Sequence, residues 1–328
     1  MSRYVFSYFI NQSADDGEQV RFARSVGDDG LRWEPLNGGR PVLTWTGGRG
    51  GARDPFLLRA AGLPGETAAF YLLATDMRAH GHDTKDFWEA DQRHGSRSIV
   101  VWESVDLVTW SEPRLVEVSP PEAGNTWAPE ATFDPVAAEY FVYWASKLYE
   151  DDGSGTRVDE SYNRMLASTT RDFRSFSEAV VWADPGRSVI DATIMHDGEY
   201  FYRFLKDERT PDSSTPEAKF ITVERSTNLR ATEWEPVTDG VGRSIPGHDG
   251  LVHGEGPIVV ARDGDGSWVL LIDEFGLRSY VPFVGDSLDT NEWRIADDYL
   301  MPPGARHGSV LAVTEEEWER LGSAWPAQ

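Results

Sequence analysis

Apolar residues along this chain fall in short runs cut by Gly, Pro, Asp and Ser, as in Tyr4–Ile10, Phe70–Ala74, Ile99–Trp102 and Phe220–Val223. Runs of that length bounded by turn residues predict strands joined by tight connections. Helical signal is confined to Glu315–Leu321, where Thr314 stands in the N-cap place, and it predicts one short surface helix ending the chain. The stretch Met77–Gly95 reads as a long loop.

A repeat underlies the strands. The segment Ser104-Val105-Asp106-Leu107-Val108-Thr109-Trp110-Ser111-Glu112-Pro113 recurs loosely as Ser168 to Glu178, with Phe176 in the aromatic place, and as Ser226 to Pro236, with Trp234. Weaker copies run from Ser25 to Pro35, with Trp33, and from Ser287 to Trp293. The five aromatic positions are 77, 66, 58 and 59 residues apart. Each copy follows a β-rich run and precedes another short strand, so the repeated element is a hairpin turn with its aromatic closing over the turn. A unit of about 60 residues holds four strands, and radial repetition of four-stranded sheets makes a β-propeller. The expected fold is all-β, a five-bladed β-propeller.

The first copy of the hairpin precedes any full unit, which predicts that the last blade is closed by strands from both termini. Arg306–Val313 would supply its innermost strand and residues 4 to 37 its outer ones. The other blades are expected at 52–118, 127–183, 189–238 and 254–297.

Composition agrees with this reading. The chain of 328 residues carries 13 Trp, 15 Phe, 11 Tyr, 31 Gly and 19 Pro, with 40% hydrophobic and 26% charged residues, which suits a globular protein of many short strands. One domain spanning 1–328 is expected. A net charge of −24 repels polyphosphate and anionic bilayers, so neither nucleic acid nor membrane is expected as a partner. The absence of cysteine excludes disulfides and thiolate metal sites. The start of the chain lacks a basic flank and a small-residue cleavage site, so a cytoplasmic location is expected.

The candidate chemistry sits at the start of each blade. The motifs are Ala52-Arg53-Asp54-Pro55-Phe56, Thr126-Trp127-Ala128-Pro129-Glu130, Val189-Ile190-Asp191-Ala192-Thr193, Gly254-Glu255-Gly256-Pro257-Ile258 and Ala305-Arg306-His307-Gly308-Ser309. First strands of propeller blades line the central axis, so four carboxylates and one imidazole should converge at one end of the channel. Carboxyls gathered in a partly dry site shift one another's pKa. Glycoside hydrolysis uses such a pair: one acid protonates the leaving oxygen while the opposite carboxylate activates water or attacks carbon.

These motifs, in this order over residues 4 to about 313, resemble glycoside hydrolase family 43, whose members are five-bladed propellers that include arabinofuranosidases and β-xylosidases. The resemblance implies that Asp54 is the general base, Glu255 the general acid and Asp191 the carboxylate that orients the acid and tunes its pKa. A nearby Asp191 anion is expected to keep Glu255 protonated near neutral pH. Trp127 and Trp45 are candidate stacking surfaces for a sugar ring, and Arg53 and Arg278 candidate substrate contacts. Glu130 stands where relatives carry aspartate, either bonding sugar hydroxyls or bracing the channel. His307 on the axis is expected to hold a water or, through water, a structural calcium ion as in some relatives; the reaction itself requires no cofactor.

The expected substrate is an oligosaccharide or glycoside. The activity implied is inverting, exo-acting release of a terminal pentose, foremost α-L-arabinofuranose, with β-xylosidase or galactofuranosidase as alternatives. Insertions at 77–95, 149–163, 205–218 and 244–254 would close a pocket around a terminal sugar if they share one face. The invertase and levansucrase group, also five-bladed, takes its nucleophile from an Asn-Asp-Pro, which is absent here. A sugar-binding propeller without catalysis is the alternative of another class, against which the three retained carboxyls argue. His80, His82 and Asp83 lack a further ligand at helical spacing and predict no metal site.

Overall fold

The computed structural model describes residues 2–150, 155–244, 249–262, 266–290 and 292–327. Parts of the insertions at 149–163 and 244–254, and residue 291 of the fifth hairpin copy, lie outside the described residues. Five four-stranded antiparallel sheets form the fold. The chain begins with β1 (Arg3–Ile10), β2 (Arg21–Ser25) and β3 (Trp33–Pro35). Next come β4 (Ala52–Arg59), β5 (Phe70–Asp76), β6 (Ser98–Ser104) and β7 (Arg114–Glu117). The third sheet is β8 (Trp127–Asp134), β9 (Glu139–Lys147), β10 (Asn163–Thr170) and β11 (Val180–Ala183). The fourth is β12 (Val189–His196), β13 (Phe201–Asp207), β14 (Ile221–Ser226) and β15 (Glu235–Val241). The fifth is β16 (Glu255–Ala261), β17 (Trp268–Glu274), β18 (Ser279–Gly285) and β19 (Arg294–Ile295). Finally β20 (Ala305–Val313) returns to pair with β1, from Arg3 opposite Val313 to Ile10 opposite Ala305. This is a five-bladed β-propeller whose last blade is closed by both ends of the chain.

The hairpin repeat has a local cause. The Ser104 hydroxyl accepts from the backbone N–H groups of Asp106 and Leu107, and the Asp106 carboxylate accepts from those of Val108 and Thr109. These side-chain bonds satisfy turn donors that no strand reaches. The Trp110 indole N–H then closes the turn on the Leu107 carbonyl at 2.9 Å. Trp33 and Trp234 repeat that closure on Gly30 and Ala231. Two of these rings fill seams between blades: Trp33 shares a buried cluster with Ile258 and Val260 of β16, and Trp234 packs against Trp182, with the Arg203 guanidinium 4.5 Å from each of the last two rings.

Two α-helices are present among the described residues. The C-terminal one, α2 (Glu315–Ala324), carries the expected Thr314 cap, with Glu317 returning the bond as a capping box. Its Trp318 lies under Arg3 and Arg24 and donates to the Ser25 carbonyl, pinning the helix across the closing blade. The other, α1 (Lys85–His94), corrects the reading of 77–95 as a loop without helix. Its apolar content is low, but the Thr84 hydroxyl accepts from Phe87 N–H, Asp86 lies in the first turn, and Arg93 and His94 lie in the last. Capping and dipole chemistry define this helix, rather than an apolar stripe.

Around the axis, Ser309 joins three strands. Its hydroxyl accepts from Leu57 N–H at 2.7 Å and lies 2.9 Å from the Ser7 hydroxyl. Replacing it leaves the buried Leu57 donor unpaired. Ser309→Ala is expected to lower unfolding stability by about 1–3 kcal/mol, read from the urea midpoint at unchanged slope.

Candidate active site

The first strand of every blade carries the same irregularity. The pairing register slips between Arg53 and Phe56, Trp127 and Glu130, Ile190 and Thr193, and Glu255 and Ile258. In β20 the slip falls at His307, between the pairs Gly308–Tyr8 and Arg306–Phe9. At four of these bulges one residue adopts a left-handed backbone: Asp54 (φ 51°), Ala128 (φ 50°), Asp191 (φ 56°) and Gly256 (φ 52°). Such conformations cost about 1–3 kcal/mol for a residue with a Cβ and persist where the surrounding structure imposes them. A bulge re-aims its side chains, and here it turns two consecutive residues of one strand toward the axis. Gly256 has a further constraint, since a Cβ there would stand 2.8 Å from the His307 ring.

The bulges surround one hollow of about 520 Å³. Asp54, Asp191, Glu255, Arg53, Trp127, Arg306 and His307 all line it. The three carboxyls expected to act together are therefore brought together. The Thr75 hydroxyl donates to Asp54 Oδ2 at 2.7 Å and itself accepts from Ala128 N–H. The other Asp54 oxygen lies 3.6 Å from His307 Nδ1, which is 3.7 Å from Asp191 Oδ1. Gly256 N–H donates to Asp191 Oδ2 at 3.1 Å, tying the fourth blade to the fifth. Arg53 pairs with the buried Glu18 at 2.9 Å and lies over Phe9 and Trp88.

The charges on Glu255 reverse one expectation. Lys206 Nζ and Arg306 Nη2 each stand 2.6 Å from a different Glu255 oxygen. Burial alone would raise this carboxyl's pKa, but the two cations outweigh it and hold Glu255 well below the usual carboxylate range. The group pushed up is Asp191, to about 6: burial raises it, the Glu255 charge adds, and His307 and Lys206 oppose. Asp191 thus holds a proton more readily than Glu255 does. Asp273, deep in β17, is pushed up to about 6 by burial against the opposing pull of Arg306 at 2.6 Å.

Three expected substrate contacts lie elsewhere. Trp45 is buried in the core beside β4 and β5, its indole N–H held by Asp76 at 2.7 Å, so it presents no face to the hollow. Glu130 is enclosed beneath the wall against Tyr143, where burial keeps its pKa well above normal; it braces the channel. Arg278 is bound to Glu274 and to the Gly250 carbonyl outside the hollow. Trp127 stays on the wall, its N–H on Asp91 at 3.0 Å and its ring edge-to-face with Trp88. Among the described residues no three His, Asp or Glu side chains gather as a metal cage, at His307 or at His80 and His82.

Lys206, Glu208, Lys219 and Trp88 also line the hollow and are not singled out by the sequence motifs. Lys206 had a visible signal, a lysine inside the strand Phe201-Tyr202-Arg203-Phe204-Leu205-Lys206-Asp207, where burial requires a partner. Asp191 gives the test of this electrostatic picture. A carboxyl raised in the folded state contributes stability below its unfolded value near 4. That contribution is lost as pH rises through about 6. Asp191→Asn is therefore expected to gain thermal midpoint over the parent between pH 4 and pH 7.5; a gap independent of pH contradicts the assignment.

Comparison with known proteins agrees with the fold. A curated α-L-arabinofuranosidase from Bifidobacterium longum subsp. longum is 32% identical over 309 residues, covering 87% of this chain, which spans 28% of that relative's length. Among solved structures, an α-L-arabinofuranosidase from Fusarium graminearum has 15% identity and a TM-score of 0.56, covering 91% of this chain and 79% of that one. An α-L-arabinanase from Penicillium chrysogenum has 15% identity and a TM-score of 0.54, with 93% and 79% covered. Both share the fold. The family model described as a probable glycosyl hydrolase domain, related to family 43, matches residues 1–319, and the chain belongs to that glycoside hydrolase family.

Proposed function

We propose that this chain is an inverting, exo-acting glycoside hydrolase that releases a terminal pentose, α-L-arabinofuranose, from plant-type oligosaccharides. The observation that carries the reading is the meeting of Asp54, Asp191 and Glu255, from three blades, in one hollow with His307 between two of them. The printed activity of the Bifidobacterium relative supports the choice of sugar.

The roles follow from the contacts. Asp54 has one oxygen engaged by Thr75 and one toward His307, and it accepts the proton of a water that attacks the anomeric carbon. Glu255, from another blade, gives a proton to the leaving oxygen. Asp191 adjoins Glu255 through Gly256 N–H, so the charge on one carboxyl governs the proton on the other. Per turnover Asp54 gains one proton and Glu255 loses one, and solvent restores both. Trp127 offers an apolar face to the sugar. The segments around Trp88 and around Lys206 and Glu208 both wall the hollow, which supports a site for a chain end.

The test is a panel of aryl glycosides carrying α-L-arabinofuranosyl, β-xylosyl, galactofuranosyl and galactosyl groups. Arabinofuranoside is expected to be hydrolysed fastest. Glu255→Ala should lose on the order of 10²–10⁴ in kcat/KM on substrates with poor leaving groups and far less with dinitrophenolate, whose departure needs no proton. Equal losses on both remove Glu255 from acid catalysis. No turnover of any member rejects hydrolysis of these sugars.

A further inference from the structure

The candidate acid is held by two cations, and one of them has a second carboxylate at hand. Lys206 Nζ lies 2.6 Å from Glu255 Oε2 and 2.8 Å from Glu208 Oε2, with the lysine side chain buried. Its hydrogen bond goes to Glu255. Glu208 Oε2, although buried, receives no aligned donor, while its other oxygen pairs with Lys219 Nζ at 2.6 Å. Lys206 therefore bridges two carboxylates, its aligned hydrogen bond on Glu255 and an ion pair already formed with Glu208. Arg306 differs: it is buried and anchored on Asp273 as well as on Glu255.

We infer that Lys206 is a positioning residue of the proposed reaction, which holds Glu255 as an anion before substrate enters and draws back onto its ion pair with Glu208 when the leaving oxygen of the substrate takes its place. The inference rests on Glu255 being the acid. Once the ammonium turns to Glu208, Glu255 Oε2 is free to take a proton from solvent and pass it to the departing oxygen. The aglycone side of the hollow would then be the side of Lys206, Glu208 and Lys219.

The groups that face this pair from each neighbouring element set the direction of the effect. Asp191 on β12 and Asp273 on β17 are negative or share protons; Arg306 and His307 come from β20, Tyr280 from β18 and Asp54 from β4. Glu208 and Lys219 oppose each other at 2.6 Å, and the Phe275 ring lies 4.7 Å from Lys206 Nζ. Lys206 is thus the direct cation on Glu255 whose charge can be removed without breaking the Arg306–Asp273 pair.

Two variants and two readouts test this. With carboxyl-labelled glutamate, the carbon resonance of Glu255, assigned by its loss in Glu255→Gln, is titrated in the parent and in Lys206→Met without substrate. Its midpoint is expected to rise by at least one pH unit in the variant. In kinetics on an arabinofuranoside with a poor leaving group, the alkaline limb of kcat/KM should move up with it. Glu208→Gln, which changes a partly exposed side chain, weakens the second station for Lys206. It should lower kcat at least tenfold on that substrate and far less on the dinitrophenyl one. An unmoved Glu255 midpoint in Lys206→Met, or equal losses on both substrates in Glu208→Gln, overturns the inference. If the parent turns over no glycoside, the functional reading fails separately, and the resonance still reports on the contact.

Discussion

A carboxylate can be taken out of water only where a cation or a set of donors meets it, and the centre of this propeller is organised by that requirement. Glu255 is met by Lys206 and Arg306, Asp273 by Arg306, and Asp191 by Gly256 N–H with His307 alongside. The carboxyls and their partners come from β12, β13, β16, β17 and β20, so these contacts also hold separate blades in mutual position. Removing one member would leave its partner buried and uncompensated, which costs more than the pair contributes.

Closure of the ring and chemistry are coupled through β20. Its pairing with β1 seals the last blade, and the slip in that pairing turns Arg306 and His307 inward. The floor of the hollow is thus complete only when both ends of the chain are in place. The helix α2 reinforces the arrangement from outside, through Trp318 beneath Arg3 and Arg24. The same bulge, repeated in all five innermost strands, explains why residues far apart in the chain arrive at one place with similar orientation.

Much of this was legible in the sequence because it rests on local chemistry. The hairpin repeat announces itself through side chains that bond to their own turn, as at Ser104 and Asp106, and its period yields the blade boundaries to within a few residues. Motifs at the strand starts were equally visible because Pro, Gly and Asp accompany the bulge. What stayed hidden depends on partners distant in sequence. The clamp of Lys206 on Glu255 spans 49 positions, and nothing near Glu255 signals it. Trp45 looked like a platform because an indole suits both sugar and core; only Asp76, across 31 positions, shows that it belongs to the core. The α1 helix escaped because caps rather than periodic apolar residues define it.

On the proposed function, Asp54 activates water on the face of the sugar opposite Glu255. The most direct test follows the anomeric proton of the first product by NMR during hydrolysis of an aryl α-L-arabinofuranoside, before mutarotation mixes the forms. β-Arabinofuranose is expected to appear first. Initial release of the α-anomer would mean a covalent intermediate on the enzyme and would contradict that role of Asp54.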